Sequence, residues 1–567
     1  LHAYVKAKYI DHSHALPILA LADQAASEAL CRKIFGTRLI WLPYVMPGFA
    51  LAQAVAKACE AHPEGEGLFL SKHGLFTFAD TARDSYERTI EFTTMAEDYI
   101  AAQTRARHGA HLPAVTTVDR PNDAEPGKLI AQVAPYLRAA FARFSHDLPN
   151  PHWIFNVRDG ASERAFASGL GATDVAQRGV ATPDHVIRMK GRPLVLPRPD
   201  PRDLPGWARV MDERLADFTR KYHAYFVRNN RRAGGIKREL DQLPRVAVIP
   251  GVGLACAGHS AREASIAADL AQQWMRVMTD AEACGAYEPV GEHDEFDMEY
   301  WSLEQAKLGK RAARPLEGRV VVVTGGGGGI GAATARAFAA QGAEIAVLDL
   351  NEEAAQRVAQ EIGGFALALH CDVTRESDVT DAFDRVASHF GGVDIVVSNA
   401  GIALPGDLLD LPEASLRQSF EVNFFAHQRV ARRAVTIMRQ QGMGGALLFN
   451  VSKQALNPGR GFGAYGTSKA ALLALARQYA VEHGADGIRV NVVNADHIRS
   501  GLMTDAMIAR RAAARGVSEA EYLAGNLLKR EVTAEDVAQA FVLSAQLEKT
   551  TGNIMTVDGG NVAAMPR

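Results

Sequence analysis

Val320-Val321-Val322-Val323-Thr324-Gly325-Gly326-Gly327-Gly328-Gly329-Ile330-Gly331 is an apolar β-branched run that ends in a glycine turn, and the alanine-rich segment from Ala332 follows it directly. Such a run reads as a buried strand, and the segment after it as a helix. Glycines between the two permit a tight turn, close approach of backbone to a pyrophosphate, and close packing of helix on strand. The helix N-terminus adds aligned N–H donors for the anion. A glycine-rich turn alone is weak evidence, because flexible loops share the composition. Here the next β-branched run, Glu344–Asp349, ends in a carboxylate at about the spacing where it accepts from both ribose hydroxyls. That carboxylate would repel a 2′-phosphate, which favours NAD over NADP.

Working outward, Val320–Thr324, Glu344–Asp349, Ala366–Cys371, Asp394–Ser398, Ala446–Val451 and Arg489–Val493 alternate with helical patterns. This alternation predicts βαβ units and a doubly wound parallel sheet, a Rossmann domain over residues 312–567. The glycine spacing is TGxxxGxG, and further motifs follow in order: Asp372-Val373, Asn399-Ala400-Gly401, Asn423, Ser452, Tyr465 four residues before Lys469, and Val557-Asp558-Gly559-Gly560. From about Glu317 onward the chain resembles the short-chain dehydrogenase/reductase family. The resemblance implies that Thr324, Gly325, Gly329, Ile330, Gly331, Asp349, Asp372, Val373, Asn399, Ala400, Gly401, Tyr465 and Lys469 hold NAD.

It also implies a catalytic set of Asn423, Ser452, Tyr465 and Lys469. Tyr465 would be the general acid or base for the substrate oxygen. A phenol's ordinary pKa near 10 is too high for that, so a neighbouring cation must favour the phenolate, and Lys469 one helical turn on would supply it. Ser452 would hydrogen-bond the carbonyl, and Asn423 would anchor a proton-relay water. Ala495-Asp496-His497 replaces the family's Pro-Gly after the sixth strand, which predicts an altered loop over the nicotinamide. His497 is either a substrate contact or a solvated loop residue. Lys453 faces either an anionic or polyhydroxy substrate or solvent.

The first region, residues 1–108, carries Asp11-His12-Ser13-His14 and, later, Leu68-Phe69-Leu70-Ser71-Lys72-His73-Gly74-Leu75. Two histidines at i, i+2 on a strand point the same way, so both imidazoles can reach one ion. Together with Pro43-Tyr44 and the helical stretch from Gly48 to Cys59, these motifs resemble the class II aldolase/adducin family. The resemblance implies that His12, His14 and His73 hold zinc, leaving positions open to a substrate's adjacent oxygens. The family's acidic residue and phosphate-binding loop would lie before Leu1, and the opening at Leu1 suggests a start further upstream. A non-catalytic, structural role stays open for this part.

The middle region, residues 109–311, opens on the polar, proline-containing segment Pro113 to Pro126. Val252-Gly253-Leu254 and Ala261-Arg262-Glu263-Ala264 echo His73-Gly74-Leu75 and Ala82-Arg83-Asp84-Ser85 at the same internal spacing. This suggests a degenerate second aldolase-like copy in which Val252 replaces His73. The alternative is two generic strand–turn–helix units. A Lys- and Arg-rich connection, Lys307 to Arg314, leads into the third region.

At 567 residues the chain allows about three or four domains. Its 62 basic and 65 acidic side chains give a net charge of -3, so no global basic field invites nucleic acid. No apolar run reaches the roughly 18 residues that cross a bilayer. Cys31, Cys59, Cys256, Cys284 and Cys371 are scattered without CxxC pairing and read as reduced thiols of a cytoplasmic protein. The whole pattern, including Phe296-Asp297-Met298-Glu299-Tyr300-Trp301, resembles the bifunctional aldolase/short-chain dehydrogenase family of the rhamnulose-1-phosphate aldolase/alcohol dehydrogenase kind. The fold class expected is α/β: a class II aldolase-like α/β part followed by the Rossmann domain. The resemblance implies cleavage of a ketose 1-phosphate and NAD-linked oxidation or reduction of a hydroxyaldehyde such as lactaldehyde. The implied partners are small-molecule substrates, without nucleic acid or membrane, in a homo-oligomer. The alternatives are a polyol or sugar dehydrogenase on a non-catalytic aldolase-like scaffold, and a binding protein that senses NAD.

Overall fold

A computed structural model describes residues 5, 7–109, 126–169, 171–306 and 313–561. The opening at Leu1, residues 113–125 of the polar segment and most of the Lys307–Arg314 connection lie outside the described residues. The chain forms two compact units. One comprises Leu1–Pro126, Val157–Ala257 and Ala264–Ala312, and the other Gly127–Asn156, Gly258–Glu263 and Ala313–Arg567.

The first unit holds β1 (Tyr9–Ser13), β2 (Leu39–Leu42), β3 (Gly67–Leu70) and β4 (Gly74–Ala79), in the sheet order β1-β4-β3-β2. The apolar β3–β4 hairpin is buried throughout, and the long helix Ala82–Gly109 follows it. Further along the chain come β5 (Ile154–Arg158), β6 (Leu194–Val195), β7 (Val246–Ile249) and β8 (Gly253–Gly258), in the order β5-β8-β7-β6. Residues Val157 and Arg158 of β5 belong to this unit.

The two sheets share more than their order. Adding 179 to each residue number of the β3–β4 register returns that of β7–β8: Gly67↔Thr77 becomes Val246↔Cys256, and Leu70↔Gly74 becomes Ile249↔Gly253. The hairpin turns match as well. His73 N–H donates to the Leu70 carbonyl at 3.2 Å, and Val252 N–H donates to the Ile249 carbonyl at 3.0 Å. The residue before each is left-handed, Lys72 at φ 57° and Gly251 at φ 81°. The register therefore puts Val252 where the first copy has His73.

The second unit is built on β9 (Val320–Thr324), β10 (Glu344–Asp349), β11 (Leu367–His370), β12 (Ile395–Ser398), β13 (Gly445–Ser452), β14 (Ile488–Ala495) and β15 (Ile554–Val557). All neighbours pair in parallel, in the order β11-β10-β9-β12-β13-β14-β15. The four valines of β9 are fully buried, as a central parallel strand covered on both faces requires. The order reverses between β9 and β12, so the crevice at their carboxyl ends is the place for a ligand.

The segment Gly127–Asn156 also belongs to this unit, and a buried ion pair explains why. Arg138 donates through Nη2 to Asp394 Oδ2 at 2.8 Å and to the Gly318 carbonyl at 3.0 Å, and through Nε to the Trp153 carbonyl at 2.7 Å. Asp394 also accepts from the Val320 N–H at 2.7 Å, at the entry to the central strand. Burial pushes the Asp394 carboxyl up, but Arg138, His152 and Arg319 outweigh it and hold it below the usual range. An Arg138→Met substitution leaves that carboxylate buried and unpaired, and should lower stability by about 3–5 kcal/mol. Urea denaturation followed by circular dichroism measures the loss, and a change under about 1 kcal/mol would show that the Asp394 carboxylate does not depend on Arg138.

Candidate active sites and metal centre

His12 lies on β1 and His14 just beyond its end, while His73 sits in the β3–β4 turn. Period-two alternation turns His12 and His14 to one side. The hairpin then folds back so that one ligand atom from each of the three imidazoles lies within 4.8 Å of the others. Gly74 makes this approach possible, since a Cβ there would stand 2.6 Å from the Ser13 carbonyl. His12 Nδ1 donates to the Leu75 carbonyl at 2.9 Å, which fixes the tautomer and leaves Nε2 as the acceptor. Burial, with His12 and His14 adding to it, pushes the His73 imidazole down to about 3, so it is neutral and competent to ligate at pH 7. Its Nδ1 is buried without a partner. This donor set fits a divalent ion held by three imidazoles.

Among the described residues, the second copy offers no such set. The Gly74 approach to the Ser13 carbonyl has its counterpart in Gly253 against the Arg158 carbonyl. That match places Val157 and Asp159 at the positions of His12 and His14, and Val252 replaces His73.

In the Rossmann unit the glycine turn has the cradle expected of it. Gly325 and Gly329 take φ values of 62° and 50°, and a Cβ on Gly331 would collide with the Gly325 carbonyl. Gly327 N–H donates to Asp349 Oδ2 at 2.8 Å, which seats the carboxylate at the end of β10 beside the turn. Asp372 is locked by Thr374 N–H at 2.9 Å and Thr374 Oγ1 at 2.7 Å, and Val373 beside it is buried. Thr324 Oγ1 accepts from the backbone N–H groups of Asn399 and Ala400 at 3.0 and 3.2 Å. The Asn399 side chain is committed internally, donating to the Thr324 and Gly325 carbonyls at 3.1 Å each. These residues, with Ile330 on the cavity wall, fit a dinucleotide.

Asn423 lies in a π-helical turn, Glu421–Phe425. Its Nδ2 donates to the Ile402 carbonyl, Ser419 Oγ and Ser468 Oγ, and its Oδ1 accepts from Ile402 N–H at 3.0 Å. One acceptor position on Oδ1 is left for a water. Gly401 brings the backbone against this group, since a Cβ there would stand 3.1 Å from Asn423 Oδ1 and 3.5 Å from Lys469 Nζ.

Lys469 donates to the Asn450 carbonyl at 2.9 Å, with Nζ 5.9 Å from the centre of the Tyr465 ring. The electrostatics differ from the sequence expectation. Burial pushes the Tyr465 phenol up and Asp496 adds to it, and the Ser452 hydroxyl, not Lys469, pulls it back down. Lys469 is weak in that role because burial brings its own ammonium down to about 7, so it carries only part of a charge at neutral pH.

Around this set opens a cavity of about 750 Å³, bounded by Ser452, Tyr465, Lys453, Asp496, His497 and Arg511 among others. The segment Ala495-Asp496-His497 lines this cavity. Lys453 is neither free nor solvated, because its Nζ pairs with Asp496 Oδ2 at 2.7 Å. Asp496 also accepts from Asn561. His497 is half-buried at φ 55°, lines the cavity, and lies 5.2 Å from the Tyr522 ring. Sequence reasoning missed Asn450, whose signal was its place two residues before Ser452 on the same strand face. It also missed Asn561 and the arginines after Thr504, which no local pattern marks. Among the described residues, no helix is long and apolar enough to cross a membrane.

Comparison with known proteins agrees with both halves. Residues 1–100 match the class II aldolase and adducin N-terminal domain, residues 128–308 the second domain of class II aldolases, and residues 325–561 the enoyl-(acyl carrier protein) reductase family. An uncharacterized oxidoreductase, YuxG, of Bacillus subtilis is 34% identical over 100% of this chain and 83% of its own length. The 7alpha-hydroxysteroid dehydrogenase of Escherichia coli is 34% identical over 44% of this chain and 95% of its own. A short-chain dehydrogenase/reductase structure from Mycobacterium marinum aligns over 43% of this chain and 96% of its own, at 32% identity and a TM-score of 0.40. With class II aldolase domains ahead of an oxidoreductase domain and a relative that matches along the whole of this chain, the chain belongs to the family of enzymes that fuse a class II aldolase to a short-chain dehydrogenase/reductase.

Proposed function

We propose that the protein is a bifunctional sugar-catabolic enzyme, organised as residues 1–108, 109–311 and 312–567 and assembled as a cytoplasmic homo-oligomer. One half performs zinc-dependent aldol cleavage of a ketose 1-phosphate of the rhamnulose-1-phosphate kind. The other performs NAD-dependent oxidoreduction of a hydroxyaldehyde or alcohol such as lactaldehyde. The observation that carries this reading is the presence, in one chain, of a three-imidazole cluster and of Ser452, Tyr465 and Lys469 beside a cavity of about 750 Å³.

His12, His14 and His73 would hold the zinc, which supplies Lewis-acid stabilisation of charge on substrate oxygens. The buried, neutral His73 keeps its lone pair available, and the His12–Leu75 hydrogen bond keeps His12 Nε2 aimed inward. The glycine turn, Asp349, Asp372 and Asn399-Ala400-Gly401 would hold NAD, which supplies or accepts the hydride. Asp349, already engaged with Gly327 N–H, keeps lone pairs for ribose hydroxyls, and its charge disfavours a 2′-phosphate. Ser452 positions the substrate oxygen. Tyr465 gives that oxygen a proton in the reducing direction and takes one in the oxidising direction. Lys469, held by Asn450, fixes the ribose side of the site, and Asn423 offers its remaining lone pair to a water in the proton path.

Three measurements test this reading. NADH absorbance with 1,2-propanediol or lactaldehyde should show turnover that Tyr465→Phe lowers by about 10²–10⁴-fold. Undiminished turnover in that variant would sink the assignment. Asp349→Asn should narrow the preference for NAD over NADP by about tenfold, since one carboxylate's repulsion of a phosphate is worth about 1.4 kcal/mol. An unchanged ratio would remove Asp349 from the ribose site. Metal analysis should find about one zinc per chain and none in His73→Ala, because a single open lobe holds a single ion. Retention of zinc in that variant would place the metal elsewhere.

A further inference from the structure

The cavity beside Tyr465 is unevenly charged. Its lining cations are Lys453, Arg460, Arg511 and Arg515, and among the described lining residues Asp496 is the single carboxylate. Asp496 neutralises Lys453 at 2.7 Å. Arg511 and Arg515 stand one turn apart on the helix Asp505–Arg515, so both project from one face. No ion pair engages either of them among the described residues. Each instead lies over an aromatic ring of the cavity wall, Arg511 at 4.8 Å from the Phe462 centroid and Arg515 at 4.9 Å from that of Tyr522. The Phe462 ring lies 6.3 Å from that of Tyr465, so Phe462 neighbours both Arg511 and the phenol on the same cavity.

We infer that the dehydrogenase cavity selects substrates that carry a carboxylate or phosphate at the end distal to the reacting carbon, read by Arg511 and Arg515. A guanidinium fork matches either anion in two parallel hydrogen bonds. Stacking on Phe462 and Tyr522 orders the guanidinium planes beforehand, so less freedom is lost when the anion arrives. Asp496 supplies the opposite half of the selection. Set one strand over from Ser452, it cancels the charge of Lys453, the cation next to the reacting centre, and so removes a competing anion site there. The anion is thereby turned towards the arginines, and the substrate oxygen towards Ser452 and Tyr465. The inference rests on the oxidoreductase reading and narrows it from neutral compounds to their anionic counterparts.

The test compares matched pairs as NAD-linked substrates: 1,3-propanediol with its monophosphate, and glycerol with glycerate. Wild type should prefer the anionic member of one pair by about 10–100-fold in kcat/KM, the worth of one well-placed charged contact. The phosphate and carboxylate arms tell which anion is meant. An Arg511→Gln/Arg515→Gln variant should lose most of that preference through KM for the anionic substrate, and an Arg511→Lys/Arg515→Lys variant should regain part of it. Equal kcat/KM within both pairs overturns the inference while leaving the dehydrogenase reading in place. So does an arginine effect that falls on the KM for NAD, which would assign the pair to the cofactor's pyrophosphate. If no compound turns over, calorimetric titration of the NAD-loaded protein with 1,3-propanediol monophosphate and glycerate decides separately. Binding that the double glutamine variant loses upholds the inference even as the dehydrogenase reading fails, and no binding overturns it.

Discussion

The Rossmann unit's chemistry hangs from one amide. Asn399 donates to the carbonyls of Thr324 and Gly325 and accepts from Asn450 Nδ2 at 2.8 Å, and the Asn450 carbonyl accepts from Lys469 at 2.9 Å. This run crosses the ends of β9, β12 and β13, tying the glycine turn to the lysine on the far side of the topological switch. Each link contributes about 1 kcal/mol net, but leaving one buried and unmade costs more. The nucleotide cradle and the proton-handling residues therefore hold one geometry between them.

Much of this was legible from the chain alone, for physical reasons. The valines of β9, the glycine turn and Asp349 form a local pattern whose period and turn chemistry leave few alternatives, and the strand bounds came out within one or two residues. The motif order located Ser452, Tyr465 and Lys469. What pattern could not supply was electrostatics. The notion that Lys469 lowers the Tyr465 pKa assumed a fully charged ammonium, and a helical position says nothing about the burial that lowers it to about 7. The Lys453–Asp496 pair was equally invisible, since 43 residues separate its members.

Domain organisation was readable only in part. The echo between His73-Gly74-Leu75 and Val252-Gly253-Leu254 is confirmed by a register that repeats at a constant offset. The attachment of Gly127–Asn156 to the Rossmann unit depends on Arg138 meeting Asp394, 256 residues away, and no window of sequence contains both.

The paired hairpins share a register but differ in what two of their turn residues cost to fold. Lys72 holds a left-handed conformation that costs an ordinary residue roughly 1–2 kcal/mol, and His73 is buried with a polar atom unsatisfied. The second copy has glycine in the first place, where the strain vanishes, and valine in the second, whose burial contributes about 1.5–3 kcal/mol. At these two positions the first hairpin carries a strained backbone and an unsatisfied polar atom that the second does not, so two hairpins of one shape are held at different local cost.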